Sequence, residues 1–183
     1  RRAGAGWARA RRTRYEQWRA EYDRDDSSVL ADIASRWISP PTISVMLPVC
    51  DPSPLILEEA IASVERQSYA HWQLCVADDA SRDPEVQKVL AAAETRDPRI
   101  SVVWRPQRGH ISAATNSALA GATGEWVTFL DHDDCLHIHA LHHVAATIVA
   151  ATIVADPTLD LIYSDEDKID EAGSHFEPHL LQP

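Results

Sequence analysis

From Ile43 onward the sequence alternates between short apolar runs and helical stretches, and this alternation limits the possible folds more than any other feature. The apolar runs predict strands at Ile43–Val49, Gln73–Ala77, Ile100–Trp104, Trp126–Leu130 and Leu159–Tyr163. The stretches between them predict helices at Pro54–Gln67, Pro84–Glu94, Ser112–Ala120 and Leu136–Ala155. Strands separated by helices at this spacing form right-handed βαβ units. We therefore expect a Rossmann-like α/β fold, with a mostly parallel sheet and helices on both faces.

The first 42 residues differ in charge from the rest of the chain. Residues 1–42 hold nine Arg against six acidic residues, a balance of +3, whereas residues 43–183 have a balance of −14, which gives the formal net charge of −11. We expect 1–42 to be a basic helical extension and linker, and 43–183 to be one α/β domain. The extension could dock on the domain or touch an anionic membrane. An acidic domain argues against nucleic-acid binding.

Cysteine usage and hydropathy indicate the compartment. The three cysteines are odd in number and form no C-x-x-C pair, which favours small buried side chains in a reducing compartment. We find no signal peptide and no run of 18 apolar residues, so we expect a cytoplasmic protein. The pentapeptide Ala146–Ala150 is repeated at once as Ala151–Ala155, and we interpret this as a local duplication.

A cluster of carboxylates, Asp131-His132-Asp133-Asp134, directly follows the apolar run Trp126–Leu130. The run is typical of a strand buried on both faces, and ligands in open α/β sheets bind beyond the carboxyl ends of the strands. Asp131 and Asp133 are two residues apart, so in extended chain both side chains point the same way. Hard oxygen ligands suit Mg²⁺ or Mn²⁺, which share their coordination with substrate phosphates. The cluster predicts a metal-assisted site for a phosphorylated ligand.

Further acidic groups follow other predicted strands: Asp51, Asp78-Asp79 and Asp165-Glu166-Asp167. Each group alone is also compatible with a turn or a helix N-cap. Several groups on one sheet edge need a cation or ligand donors to gather them, because like charges repel.

Two sets of basic side chains leave alternatives open. Arg105, Arg108 and Lys168 could neutralise phosphates, and surface roles are equally compatible with the sequence. His139 and His143 have the i, i+4 spacing of zinc ligands. No glutamate completes an H-E-x-x-H motif there, so we expect these histidines on a solvated helix face.

Between Pro41 and Pro178 the chain resembles family 2 glycosyltransferases with the GT-A fold. The motifs that carry this resemblance follow one another in the family's order: Pro41–Pro48, Asp78–Ser81, Gly109–Asn116 and Leu130–Asp134. The segment Leu161–Asp170 resembles a bacterial subgroup linked to surface polysaccharides. The resemblance implies that 43–183 is a nucleotide-sugar-binding domain of the GT-A type that is incomplete at its C-terminus.

The resemblance also implies roles for single residues. Asp51 should lie beside the nucleotide base, Asp78 or Asp79 should hydrogen-bond the base or ribose, and Ser81 should cap the next turn. Asp133 should bind the metal directly, with Asp131 also at the metal and nearer the ribose. Cys50 stands where an aromatic residue often stacks on the base, and Asn116 lies along the nucleotide or on the helix surface. The full nucleotide-sugar set is Pro48, Val49, Asp51, Asp78, Asp79, Asn116 and Asp131.

The implied activity is inverting sugar transfer from a nucleotide-diphospho-sugar to a saccharide or lipid-linked acceptor, with a divalent cation, Mg²⁺ or Mn²⁺. Such an enzyme needs a carboxylate base for the acceptor hydroxyl; Asp165, Glu166 and Asp167 are candidates, or the base lies beyond the chain end. The resemblance implies a cytoplasmic protein, with peripheral association at the inner face of the membrane left open. Two alternatives remain: a non-catalytic nucleotide-sugar-binding fragment that lacks the acceptor half, and a Mg²⁺-dependent phosphohydrolase with Asp131 as nucleophile.

Overall fold

The computed structural model describes residues 14–21, 23, 26–153, 158–170 and 173–179. These residues fall into two compact units, the larger containing 27–153 and the smaller containing the described parts of 14–26 and 158–179. Of the predicted N-terminal helix, residues 14–21 are helical, and the part before Arg14 lies outside the described residues. So does Val154-Ala155, the end of the pentapeptide repeat. Within the described ranges, no helix is long and apolar enough to cross a membrane.

The larger unit is built on a four-stranded parallel sheet. Its strands are β1 (Ile43–Val49), β2 (Trp72–Asp78), β3 (Ile100–Trp104) and β4 (Trp126–Phe129). They lie in the order β3-β2-β1-β4, so β1 and β2 are interior strands. The predicted α/β class and the parallel sheet are confirmed, because the four strands form within one residue of the expected bounds.

Five helices accompany the sheet: α1 (Ser27–Ala34), α2 (Pro54–Glu65), α3 (Pro84–Arg96), α4 (His110–Leu119) and α5 (Ala140–Ile153). Helix α3 begins where the sequence predicts, because Asp83 caps the Glu85 amide and Pro84 occupies the first turn. Helix α5 begins four residues later than predicted. The residues before it are held in a loop, since the Leu136 amide donates to Ser63 Oγ at 3.1 Å.

The two faces of the sheet pack against different helices. Alternate residues of β1, such as Val45 and Leu47, are buried with apolar side chains of α2, α3 and α5. On the other face Met46 of β1 packs against Ala114 and Ala118 of α4. Small alanine side chains let α4 approach the sheet closely. Helices therefore cover both faces, as predicted, and burying each large aliphatic side chain contributes about 1.5–3 kcal/mol.

Strand β4 is not buried on both faces, and this corrects the sequence prediction. Val127 is 42% exposed and Phe129 is 65% exposed. Both residues are in register with Ser44 and Met46 of β1 and so share the α4 face. Helix α4 packs over β1 and β2 and leaves the side chains of β4 open to solvent. In the described sheet β4 has a neighbouring strand on one side only and lies outside the area that α4 covers. Local hydropathy does not reveal this position.

The predicted fifth parallel strand, Leu159–Tyr163, is wrong. Residues 159–165 have no regular structure, and Leu161 is 77% exposed, so burial does not drive this run into a sheet. Instead β5 (Glu166–Ile169) and β6 (His175–His179) pair antiparallel in the smaller unit. The acidic cluster 165–167 therefore does not follow a strand of the parallel sheet.

Side-chain contacts of the smaller unit join its hairpin to the helix at residues 14–21. Asp167 accepts a hydrogen bond from Tyr15 Oη at 2.7 Å, and its carboxylate lies 2.8 Å from His175 Nδ1. Burial and the Asp167 carboxylate raise the pKa of Tyr15 to about 12. Lys168 pairs with Glu177 at 2.6 Å across the hairpin, so its charge already has a partner there.

The cysteines differ from the expectation that all three are buried. Cys75 of β2 is buried, and burial raises the pKa of its thiol. Cys50 and Cys135 are exposed, because both follow strand ends in loops and not within the sheet. All three are free thiols.

Candidate functional site

Two adjoining cavities open at the carboxyl edge of the parallel sheet, where the sequence predicts ligand binding. They have volumes of about 370 and 340 Å³ and share Pro48, Ile111 and Asp131. The first cavity is also lined by Ser112, Thr115, Asn116 and Phe129. The second cavity is also lined by Val49, Cys50, Asp79, Arg108, His110, Ala114, His132 and Asp133.

The carboxylates at the end of β2 are buried and already hydrogen-bonded. Asp78 is 3% exposed, and its carboxylate accepts the Ser81 amide at 3.2 Å. Asp79 is 2% exposed and accepts Arg105 Nε at 2.8 Å and the Gly109 amide at 2.9 Å. Asp78 thus shapes the turn after β2, and Asp79 anchors the loop that joins β3 to α4.

Electrostatics keep Asp79 ionised. Burial by itself raises the pKa of this carboxyl, but the Gly109 amide and the Arg105 guanidinium outweigh burial and hold the pKa below its ordinary value. Arg105 also donates to the Ala113 carbonyl at 2.9 Å and to Ser117 Oγ. A Cβ at Gly109 would lie 2.4 Å from Arg105 Nη2, so only glycine leaves room for this arginine.

Asp51, after β1, links three loops of the site. It has a positive φ of 49°, a conformation that Asp tolerates better than most residues. Its carboxylate accepts the Arg82 amide at 2.5 Å and pairs with the Arg108 guanidinium. The Arg82 amide is the main cause that lowers the pKa of Asp51. The Asp51 amide in turn donates to Ser81 Oγ at 2.9 Å.

The carboxylates at the end of β4 are arranged differently. Asp131 and Asp133 are exposed and line the same cavity, and the Asp133 side chain is 64% exposed. His132 Nδ1 lies 3.6 Å from Asp133 Oδ1, too far for a hydrogen bond. That nitrogen is buried and has no hydrogen-bond partner among the described residues. The Asp133 carboxylate and the His132 imidazole thus lie near each other beside a cavity that Asp131 also lines.

The donor set at the end of β4 fits a hard divalent cation that a ligand also coordinates. The described part of the chain holds no group of three or more His, Cys, Asp or Glu side chains placed to bind a metal by themselves. Mg²⁺ commonly binds through one or two carboxylates and takes the remaining oxygens from substrate phosphates and water. Asp131 and Asp133 are sufficient for that mode.

The structure brings most predicted site residues to the cavities. Pro48, Val49, Asp79, Asn116, Asp131 and Asp133 line them. Asp51 and Asp78 line neither cavity and instead hold the loops beside them. Asp165, Glu166 and Asp167 belong to the smaller unit, where Asp167 is engaged by Tyr15 and His175.

Sequence reasoning missed the apolar and polar side chains that α4 and β4 contribute to the cavities. Ile111 and Thr115 have i, i+4 spacing on one helix face, and this spacing is the signal that could have revealed them. Phe129 has no such signal, because its exposure depends on the edge position of β4.

Of the two histidines that the sequence predicts on a solvated face, His143 is exposed, as predicted, and His139 is buried. His139 is 4% exposed, with Nδ1 3.0 Å from Ser68 Oγ, and His142 is 3% exposed and packs against Trp37. Burial lowers the pKa of His142 and of His143. His139 and His142 therefore contribute to packing, and the described residues hold no group of three or more metal-binding side chains that would support the zinc alternative.

Comparison with known proteins places this geometry in a family. A family model described as Glycosyl transferase family 2 matches residues 44–181. The "Uncharacterized protein y4gI" of Sinorhizobium fredii is 46% identical over 82% of the chain. The "O-antigen biosynthesis protein RfbC" of Myxococcus xanthus is 35% identical over 90% of it. The chain spans only 16% and 12% of the lengths of these two relatives.

A solved structure agrees with the fold. The S. aureus TarS 1-349 structure in complex with UDP-GlcNAc superposes with a TM-score of 0.54 and 27% identity. The superposition covers 61% of this chain and 32% of that one. The fold is thus that of GT-A glycosyltransferases. Since the family model matches most of the sequence, the chain belongs to glycosyl transferase family 2.

Proposed function

We propose that the chain binds the donor substrate of a metal-dependent glycosyltransferase. The enzyme transfers a sugar from a nucleotide-diphospho-sugar to a saccharide or lipid-linked acceptor. The observation that carries the proposal is the pair of exposed carboxylates, Asp131 and Asp133, which line one cavity at the carboxyl edge of the sheet. Family membership supports it, and so does the UDP-GlcNAc bound to TarS, which is 27% identical over the matched region.

In this proposal Asp133 binds the cation directly and Asp131 lies nearer the ribose. Asp131 and Asp133 line the second cavity together, and Asp131 also lines the first. A bound Mg²⁺ or Mn²⁺ supplies Lewis-acid stabilisation of the charge on the departing diphosphate. The cation also offsets the repulsion between an acidic domain and an anionic donor.

The nucleoside then lies along the ends of β1 and β2. Pro48 and Val49 form the apolar floor, and Cys50 stands at the position of the expected stacking contact. Asn116 lines the first cavity from α4. Asp78, Asp79 and Asp51 act by holding the loops, because their carboxylates are engaged by protein donors.

Asp165, Glu166 and Asp167 stay the proposed candidates for the acceptor base. Asp165 and Glu166 are exposed, whereas Asp167 already accepts Tyr15 and lies beside His175. A carboxylate that deprotonates the acceptor hydroxyl activates its oxygen for attack on the sugar carbon. A single displacement of this kind inverts the configuration at that carbon. The name of the Myxococcus relative supports an acceptor of the surface-polysaccharide type.

Binding without transfer is the second candidate, a non-catalytic nucleotide-sugar-binding fragment. It is favoured by the lining of the two cavities, which includes none of the candidate base residues Asp165, Glu166 and Asp167. Donor turnover separates the two functions, because both need the same donor site.

The test is release of nucleoside diphosphate from UDP- and dTDP-sugars in Mn²⁺, alongside direct measurement of donor binding. We expect binding by the wild-type chain and its collapse in Asp133→Ala. The matched control is Glu125→Ala, which removes an exposed carboxylate just before the amino end of β4. Equal donor binding by Asp133→Ala and the control would contradict the metal site, and binding without turnover would favour the fragment.

A further inference from the structure

Arg108 is the arginine that lines the second cavity, in the loop that joins β3 to α4. The other arginine of this loop, Arg105, is engaged by Asp79, Ala113 and Ser117, and its side chain is only 19% exposed. The Arg108 side chain is 43% exposed and pairs with Asp51. The loop therefore has one arginine that holds it in place and one that is accessible to a ligand.

The contacts of Asp51 position Arg108 on one side of the site. The Asp51 carboxylate accepts the amides of Arg82 and Asp83, which follow β2. Asp131 and Asp133 follow β4, which is two strands away from β2 in the sheet. Neighbouring strands are about 4.8 Å apart, so these two ends of the site are separated by roughly 10 Å. A ligand whose diphosphate lies at the β4 end presents its opposite end to Arg108.

The chemistry of the guanidinium restricts what that opposite end can be. A guanidinium has five N–H donors and no acceptor, and the structure gives Asp51 as an acceptor for one of its nitrogens. Donors that face the cavity favour carbonyl oxygens. Uracil and thymine present O4 and guanine presents O6 as such an oxygen, whereas adenine and cytosine present an amino group at the corresponding position.

We propose that Arg108 is a specificity-determining residue that selects a donor with a carbonyl-bearing base, namely uracil, thymine or guanine, over adenine. This inference rests on the proposed function, because it assumes that the cavity holds a nucleoside diphosphate. Asp51 and Asp79 are its positioning residues: Asp51 pairs with the guanidinium, and Asp79 holds the loop through Gly109. A side chain fixed in this way loses less entropy on binding than a free arginine does.

The test is calorimetric binding of UDP and ADP to the intact chain in Mn²⁺. The wild type should bind UDP at least about 10-fold more tightly than ADP, as expected for one hydrogen bond to a charged group. In Arg108→Ala the ratio of the UDP affinity to the ADP affinity should fall towards one, mainly because UDP binds more weakly. Arg108→Lys should also lose most of the ratio, because an ammonium lacks the planar fork. The control is Arg96→Ala, which removes an arginine at the far end of α3.

Each outcome has a distinct meaning. Loss of UDP selectivity in both Arg108 variants, with the ratio kept in Arg96→Ala, supports base selection. If Arg108→Ala weakened the binding of UDP and of ADP equally, and Arg108→Lys restored the binding of both, Arg108 would contact phosphate through its charge. That result would overturn base selection. An unchanged ratio in both variants would overturn it as well. Failure of the wild type to bind either diphosphate would instead contradict the proposed function itself.

Discussion

Two pairs of aspartates follow two strands of the same sheet, and they differ in almost every physical respect. Asp78 and Asp79, at the end of β2, are 3% and 2% exposed and accept hydrogen bonds from the protein. Asp131 and Asp133, after β4, are exposed and line a cavity. The β2 pair stabilises the loops of the site, whereas the β4 pair is accessible to a cation and a ligand. Similar residues at equivalent sheet positions therefore have different roles.

The position of each strand explains the difference. Strand β2 lies between β1 and β3, so its end is surrounded by the loops that follow both neighbours. The loop after β3 brings Arg105 and Gly109 onto Asp79. Among the strands of the described sheet, β4 pairs only with β1, and the side chains that follow it remain in contact with solvent.

The largest expected effect on stability follows removal of the Asp79 carboxylate. Asp79→Ala leaves Arg105 without its charged partner and should lower the free energy of unfolding by about 3 kcal/mol. This value is at the lower end of the range for a broken buried ion pair, because Arg105 keeps some solvent contact. Denaturant unfolding measures this value. The control is Glu65→Ala, which breaks a more exposed pair with Arg96 and should cost under about 1 kcal/mol. Similar losses in the two variants would remove the distinction between a structural and an accessible carboxylate.

A smaller effect concerns acid stability. The folded-state pKa of Asp79 is lowered, so the unfolded chain binds its proton first as the pH falls. The stabilisation is fully present above the unfolded pKa of about 3.9 and is lost as the pH falls through the folded value. The melting temperatures of the wild type and of Asp79→Asn should therefore differ most near neutral pH, and the difference should shrink as the pH falls below about 4. A difference that is independent of pH would contradict the ionised role.

The smallest effect on stability is expected at the end of β4. Asp131→Asn and Asp133→Asn remove exposed carboxylates and should change the free energy of unfolding by no more than about 0.5 kcal/mol. Denaturant unfolding in EDTA is the appropriate measurement, because any bound cation would add its own stabilisation. A loss above about 2 kcal/mol would mean that these carboxylates hold the fold together as Asp79 does.

Local sequence patterns predict the elements that depend on local periodicity. Strand β1 and helix α3 form close to the expected residues because apolar spacing, the Asp83 cap and Pro84 act within a few positions. The aspartates after β4 were also recognisable, since a carboxylate at the end of a parallel strand is a local signal.

Features that depend on distant partners were not predictable in this way. Asp79 meets Arg105 and Gly109 across 26 and 30 residues, so nothing near Asp79 indicates that its carboxylate is engaged. The exposure of Phe129 depends on the place of β4 at the edge of the described sheet. The run Leu159–Tyr163 has the composition of a strand, yet its apolar side chains remain exposed. Hydropathy reports what a segment could bury and not whether a partner covers it.

The central claim is that the carboxylates after β4 hold a divalent cation that in turn holds the donor diphosphate. The most direct measurement is calorimetric binding of UDP to the wild type and to an Asp131→Asn, Asp133→Asn double variant, each in Mn²⁺ and in EDTA. The wild type should bind UDP at least about 10-fold more tightly in Mn²⁺ than in EDTA, a difference in binding free energy of about 1.4 kcal/mol. The double variant should bind UDP equally in the two conditions. Equal UDP affinity of the wild type in Mn²⁺ and in EDTA would contradict the account.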